Sequence, residues 1–186
     1  MSILRKAIRQ SFIVPLIACS AFLLASQPAE NREYQVKAAF LYNFTQFVEW
    51  PANALPEAKT PLVIGVLGEN PFGNYLQEII SGEQVNGHPL VVQQYKDAEE
   101  IKTCHILFIN LAEKDKLEQA IASLKGRSIL TVSDESNFIK HGGMIRFIKR
   151  DNKIQFQINP ESAKEADLIV SSKLLRLAEI VSLKNK

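Results

Sequence analysis

Cysteine is scarce in this chain, which limits how the fold can be held together. The 186 residues include two cysteines, Cys19 and Cys104. Cys19 lies in an N-terminal apolar run with the features of an export signal, so the processed protein would keep only Cys104 and could form no internal disulfide. The neighbourhood of Cys104, CHILFIN, is typical of a buried strand. This favours a buried thiol over a redox or catalytic one and leaves an intermolecular bridge open.

The sequence also lacks an apolar run long enough to cross a bilayer. Residues 11–26, SFIVPLIACSAFLLAS, contain Pro15 and fall short of the roughly 20 apolar residues required. They follow the basic segment MSILRKAIRQ, and the small residues Ala25, Ser26 and Ala29 offer cleavage sites. We predict a signal peptide over residues 1–29, a single domain over residues 30–186, a periplasmic location and no integral membrane segment after cleavage.

Two alternatives to this cleaved signal peptide involve the membrane. One is an uncleaved anchor, which the short run with its proline disfavours. The other is lipid anchoring at Cys19, because residues 16–19 resemble a lipobox. Cleavage there would leave the apolar SAFLLAS on the mature protein, so lipidation is the weaker interpretation.

A strong charge of one sign is absent as well. The leader would take three of the 22 basic residues and none of the 20 acidic residues, leaving the domain near neutral. A basic stripe with interleaved aromatic residues, as a nucleic-acid-binding protein would need, is missing. We therefore expect no nucleic-acid partner.

Complete catalytic motifs are missing too. The stretch Gly68–Gly73 has the glycine spacing of a P-loop, but Asn74 and Tyr75 stand where lysine and a hydroxyl residue must follow. Ser133, Asp134 and His141 suggest a triad, yet the serine lacks the G-x-S-x-G elbow. The three histidines lack metal-ligand spacing. We expect no enzyme, metal or cofactor, and keep a hydrolase only as a third alternative.

What the sequence does contain is an alternation of helices and strands. Apolar residues recur at helical spacing between residues 31 and 50, namely Val36, Phe40, Leu41, Phe44, Phe47 and Val48, and Pro51 ends that helix. Strands predicted at residues 61–68, 90–95, 104–110 and 128–134 are separated by helices predicted at 70–82, 97–101 and 112–126. Their continuous apolar runs indicate a parallel sheet buried on both faces.

The pattern changes toward the C-terminus. Residues 144–150 and 153–159 alternate with period two around the turn Asp151-Asn152, which predicts an antiparallel hairpin with one wet face. Asn159 and Pro160 then open a helix, and Ser171-Ser172 cap a helix over residues 173–183. The fold class predicted is a three-layer α/β/α sandwich, Rossmann-like or flavodoxin-like, with a mainly parallel sheet and a C-terminal antiparallel hairpin.

The carboxyl ends of these parallel strands form one candidate ligand site. Ligands of open α/β sheets bind at that edge, where a small group of polar residues would converge. The group is Gly68, Glu69, Asn70, Asn110, Ser133 and Asp134. It supports an alternative function, a periplasmic small-molecule protein that binds a nucleotide or anion. The stretch Ser133–Arg150 also has a purely structural interpretation, in which Gly142-Gly143 starts the hairpin.

Several segments, taken in order, resemble the YfiR-like family of periplasmic proteins, which also includes HmsC. They span almost the whole domain: VKAAFLYNFTQFVEWP, VIGVLGENPFG, CHILFIN, LTVSDESNFIKHGGMIRF, IQFQINPESAKEAD and LIVSSKLLRLAEIV. The resemblance implies a repressor that binds the periplasmic sensory domain of an inner-membrane diguanylate cyclase, and so controls cyclic di-GMP and biofilm formation without catalysis. The family's loop and hairpin correspond here to Ser133, Asp134, Phe138, Gly142, Gly143 and Phe147.

Under this resemblance a protein surface, rather than a catalytic centre, carries the function. Better-known members have cysteine pairs, so the unpaired Cys104 argues against redox switching here. A homodimer is a further possibility. The hairpin and the last helix supply the candidate partner-binding residues, which are Phe138, Arg146, Leu174 and Leu175, although core packing is the simpler interpretation of each leucine.

Overall fold

The computed structural model describes residues 29–183, with side chains from residue 32 onward. The signal-peptide and lipobox predictions concern residues that lie outside this range, apart from Ala29. The helices are α1 Ala29–Phe47, α2 Tyr75–Ile80, α3 Lys114–Leu124, α4 Pro160–Glu165 and α5 Ser172–Leu177. The strands are β1 Val48–Glu49, β2 Leu62–Gly68, β3 Gln84–Val85, β4 His88–Tyr95, β5 Ile106–Asn110, β6 Leu130–Ser133, β7 Ile145–Arg150, β8 Lys153–Ile158, β9 Ile169–Val170 and β10 Glu179–Ile180. Short 3₁₀ helices cover Ala98–Glu100 and Ile139–His141.

One mixed sheet organises the domain. Its strand order is β10-β8-β7-β6-β5-β2-β4-β3. Strands β4, β2, β5, β6 and β7 run parallel to one another. The edge strand β3 pairs antiparallel with β4, β7 and β8 form an antiparallel hairpin, and β10 adds parallel to β8. A separate small antiparallel sheet joins β1 to β9. The predicted mainly parallel sheet with its C-terminal hairpin is confirmed.

Two apolar cores lie on opposite faces of this sheet, as a three-layer fold requires. The first core packs Leu41 and Phe44 of α1 against Ile64 of β2 and Phe147 of β7. The second core packs α3 against the other face of the same parallel strands, including Leu107. Because the parallel strands are apolar on both faces, their sequences show continuous runs instead of alternation.

Local capping chemistry sets the start of two C-terminal helices as predicted. The Asn159 side chain accepts from Ser162 N at 3.2 Å, with Pro160 at the first helical position of α4. The Ser171 hydroxyl accepts from Leu174 N at 3.3 Å at the start of α5. In the hairpin turn, Asp151 and Asn152 both have positive φ, as a tight turn of this kind needs.

Three predicted helix boundaries were wrong by three or more residues. The first helix ends at Phe47, ahead of Pro51, because Val48 and Glu49 pair with β9. The second begins at Tyr75 and not at Asn70, whose side chain instead closes a turn with Phe72 N at 2.9 Å. The last ends at Leu177, since Glu179 and Ile180 pair with β8.

Candidate functional site

Ser133, at the end of β6, is a structural hydroxyl. It is buried, donates to the carbonyl oxygen of Ile109 at 2.8 Å and accepts from Glu135 N at 3.2 Å. His141 contacts a different group, with its Nε2 3.4 Å from Glu118 Oε1. Neither hydrogen-bond partner of Ser133 is a general base, so the three triad-like residues do not form a nucleophile–base pair in this structure.

The loop that follows Ser133 is shaped by one buried aromatic ring and two glycines. Phe138 is fully buried in the second core. Gly142 has φ near 99°, a conformation that L side chains rarely adopt. Gly143 carries no positive φ, but a Cβ there would collide with the Phe138 ring. The double glycine therefore lets the loop close over Phe138 before the hairpin begins.

Asp134 is the centre of a polar network that joins three elements. Its Oδ2 accepts from Lys37 Nζ of α1 at 2.6 Å and from the Tyr34 hydroxyl at 3.1 Å. Lys37 also pairs with Glu33 at 2.8 Å, and Glu33 pairs with Lys149 of β7 at 2.9 Å. The network therefore fastens the N-terminal half of α1 to the end of β6 and to the hairpin.

The electrostatics of this network are balanced. Two carboxylates face two ammonium groups, and the Lys37 side chain is only 4% exposed. The hydrogen bond from Lys37 is the main cause that lowers the pKa of Glu33, opposed in part by burial. An open cleft of about 500 Å³ borders the network, lined by these residues and by the hairpin residues 146–148.

Gly68, Glu69 and Asn110 of the predicted ligand set lie at the ends of β2 and β5 and bond to each other, whereas Asn70 bonds within its own turn. Gly68 pairs with Asn110, and a Cβ at Gly68 would collide with the Asn110 carbonyl oxygen. Asn110 Nδ2 donates to Glu69 O at 2.9 Å, and Glu69 N donates to Asn110 O at 3.2 Å. Within the predicted set, Asp134 is the residue that lines the cleft.

The predicted partner-binding residues divide between core and surface. Phe138 and Leu174 are buried in the two cores. Arg146 and Leu175 are half-buried. The surface available to a partner at these positions therefore comes from Arg146 and Leu175.

A set of exposed apolar side chains near the C-terminus was missed by the sequence reasoning. Among the described residues, the large apolar side chains with the most exposed surface include one on α1, Val36, and four between residues 169 and 183. We call the latter the C-terminal apolar set: Ile169, Leu177, Ile180 and Leu183. Leu177 reaches 70% exposure because α5 ends there. In the sequence, apolar residues continue at helical spacing beyond Leu177. That spacing predicted a longer helix with a buried apolar stripe.

The remaining cysteine and two of the histidines serve the fold. Cys104 is buried, with Sγ 3.1 Å from the Ile106 carbonyl oxygen, and burial raises the pKa of its thiol to about 12. His105 is buried, and His88 bonds through Nδ1 to the Thr60 carbonyl oxygen. Within residues 29–183, there is no group of three or more His, Cys, Asp or Glu residues that could hold a metal ion.

Comparison with known proteins assigns the family. A family model described as YfiR/HmsC-like matches residues 34–179. No curated protein matches the chain. None of the helices in the described part of the chain has the length and apolarity to cross a membrane. YfiR/HmsC-like proteins are periplasmic regulators and not catalysts. The match covers both cores, the hairpin and the polar network apart from Glu33, and the chain belongs to the YfiR/HmsC-like family.

Proposed function

We propose that this protein is a periplasmic repressor that binds the sensory domain of an inner-membrane diguanylate cyclase, lowers cyclic di-GMP and restrains biofilm formation, without catalysis of its own. The single observation that carries the proposal is the C-terminal apolar set. Single exposed apolar residues are ordinary on a soluble protein, whereas contiguous ones are typical of a protein-binding surface, and we expect the members of this set to form such a surface.

The chemistry of repression requires only differential binding. A protein that binds the inactive state of a cyclase about 3 kcal/mol more tightly than the active state shifts that equilibrium more than a hundredfold. The half-buried Arg146 and Leu175, together with the C-terminal apolar set, are the side chains through which we expect such binding. Apolar contacts rimmed by charge are the usual anatomy of an interface of this kind.

The test uses purified residues 30–186 and the periplasmic domain of a diguanylate cyclase from the same cell. We expect the wild-type protein to capture the domain and Leu177→Glu to lose most of the capture, because a charge would replace a contacting apolar side chain. Val36→Glu is the matched control, since Val36 is also apolar and exposed but lies on α1.

The cellular readout is the level of cyclic di-GMP. Deletion of the gene should raise it, and Leu177→Glu should fail to restore the low level whereas Val36→Glu restores it. Capture by Leu177→Glu as strong as that of the wild type would reject this surface. If the wild type captures no such domain and deletion leaves cyclic di-GMP unchanged, the repressor function itself is refuted.

The cleft beside Asp134 supports a second candidate function, the binding of a small polar molecule. Its volume of about 500 Å³ falls within the range of ligand sites, and its lining carries both signs of charge. A ligand that binds there should raise the melting temperature in a saturable manner, and Asp134→Asn should weaken that rise. A broad metabolite panel that gives no rise would count against this function.

A further inference from the structure

One face of the β7–β8 hairpin is left uncovered by the described helices. Alternate hairpin residues, such as Phe147 and Phe156, pack into the first core with α1. The second core, beneath α3, takes no residue from β7 or β8. The other alternate residues therefore stay half-buried or exposed on the opposite face. We call this face, which consists of Arg146, Ile148, Arg150, Lys153, Gln155 and Gln157, the basic hairpin face.

This face has more positive than negative charge. Glu179 of β10 is the carboxylate bonded to it, 3.2 Å from Arg150 Nη2 and accepting from Gln157 Nε2 at 2.9 Å. Arg146 donates to Gln157 Oε1 at 3.3 Å. The hydrogen bond from Gln157, and after it Arg150, lowers the pKa of Glu179. With Asp151 of the turn included, two carboxylates stand against Arg146, Arg150 and Lys153. Glu33 and Asp134, which line the cleft beside Arg146, are already paired with Lys37 and Lys149.

Two features of the face are unfavourable in the isolated domain. Arg146 Nε is buried and has no hydrogen-bond partner in the part of the chain that the structure describes. Arg150 lies directly opposite Lys153 in the hairpin register, and like charges in that position repel. Carboxylates placed over the face would relieve the repulsion and supply acceptors to the guanidinium groups.

We propose that the basic hairpin face receives an acidic segment of the partner protein, and that this contact sets the rate of docking. The inference rests on the proposed function and adds the chemistry of the partner's surface. Arg146 and Arg150 are four residues apart on one strand, or roughly 13 Å, which a single small anion cannot span. Several carboxylates on one protein segment can.

The position of the face also favours a protein partner. Glu179, bonded to Arg150, is adjacent in sequence to Ile180 of the C-terminal apolar set. In the register of β10 with β8, Glu179 pairs with Gln157 and Ile180 pairs with Ile158, so Ile180 lies on the opposite face of the edge strand, and only the edge of the sheet separates it from the basic face. A charged region beside an apolar centre is the arrangement that steers a protein partner before the apolar contact forms.

The experiment measures association of the periplasmic cyclase domain with wild type, Arg150→Glu and Lys153→Glu over a range of ionic strength. Lys114→Glu is the matched control. Its side chain is 69% exposed and paired with Glu118, much as Arg150 is 59% exposed and paired with Glu179. Melting curves followed by circular dichroism establish that each variant is folded.

We expect the wild-type association rate to fall steeply as salt is added, because opposite charges attract over about a Debye length. Each reversal on the hairpin should lower that rate about tenfold at low ionic strength and flatten its salt dependence, while Lys114→Glu should not. Equal rates for all folded variants would overturn the inference and leave the repressor function standing. Failure of the wild type to bind the domain would overturn both.

A second experiment, with lipid vesicles, tests whether the basic hairpin face binds an anionic membrane surface instead of a protein. Wild type and variants are mixed with vesicles that contain phosphatidylglycerol, without the cyclase domain. We expect no binding that depends on Arg150 or Lys153. Vesicle binding lost in both hairpin variants, with cyclase association unchanged, would assign the face to lipid and overturn the inference.

Discussion

At the scale of single residues, His105 makes the fold sensitive to pH. Its Nδ1 accepts from Val63 N at 3.0 Å, and its Nε2 is 3.0 Å from the Ala54 carbonyl oxygen. These contacts require a neutral ring with the proton on Nε2. Burial is the main cause that lowers the pKa of His105 below its ordinary 6.5. The unfolded chain therefore takes up this proton at a higher pH than the folded chain does.

We predict that acid destabilises the domain through His105. The stabilising contribution is complete above pH 6.5 and is lost as the pH falls from there through the lowered pKa of the folded state. Asparagine keeps an acceptor near the position of Nδ1 but does not titrate. His105→Asn should be less stable at pH 7 by about 1–3 kcal/mol and should show a smaller fall in unfolding free energy below pH 6.5. Urea melts at several pH values measure this, and parallel curves for the two proteins would contradict it.

Cys104 gives a second prediction at the residue scale. The thiol is 6% exposed and its pKa is raised to about 12, so almost no thiolate is present at neutral pH. With Cys19→Ser to remove the other thiol, the folded protein should not react with a disulfide reagent within minutes and should react fully in urea. Thr103→Cys, at an exposed neighbouring position, should add one fast-reacting thiol. Fast reaction of Cys104 in the folded protein would contradict this prediction and favour an intermolecular bridge.

At the scale of elements, the sequence predicted what local chemistry decides. Asn159 and Ser171 were identified as caps because a cap needs only its own side chain and the amides just after it. The end of α5 was not predicted correctly, because it depends on the pairing of β10 with β8, a strand more than twenty residues earlier in the chain. Likewise, Asp134 was placed at the correct edge of the sheet, but its partner Lys37 is 97 residues away.

The Lys37 network gives the prediction for α1. In Lys37→Met the stem is retained and the charge lost, leaving Glu33 and Asp134 facing each other with Lys149 alone nearby. The two carboxylate side chains keep about a fifth of their surface in water, which softens the penalty. We expect a loss of about 1–3 kcal/mol in unfolding free energy.

Lys116→Met is the matched control for the Lys37 network. Lys116 pairs with Glu113 at 2.8 Å, but both side chains are more than 60% exposed. Ion pairs this exposed contribute little to stability, so this substitution should change the unfolding free energy little. Urea melts of the two variants provide the comparison. Equal losses would show that the network is no stronger than an ordinary surface pair.

At the scale of the whole molecule, the two cores share the same strands. Ile64 and Leu67 of β2 point to opposite faces, into the first and the second core respectively. Loss of either core exposes one face of the sheet that the other core needs, so the two should unfold together. We predict a single cooperative transition, which is usual for one domain of about this size.

The single tryptophan makes this prediction measurable. Trp50 is half-buried against the first core and donates to the His105 carbonyl oxygen at 3.2 Å, whereas far-UV circular dichroism reports on the whole fold. The two signals should give the same urea midpoint. Ile109→Val, in the second core, should cost about 0.5–1.5 kcal/mol and lower both midpoints equally, although Trp50 packs against the other core. A fluorescence midpoint that stays fixed while the dichroism midpoint falls would show two separately unfolding cores joined by one sheet.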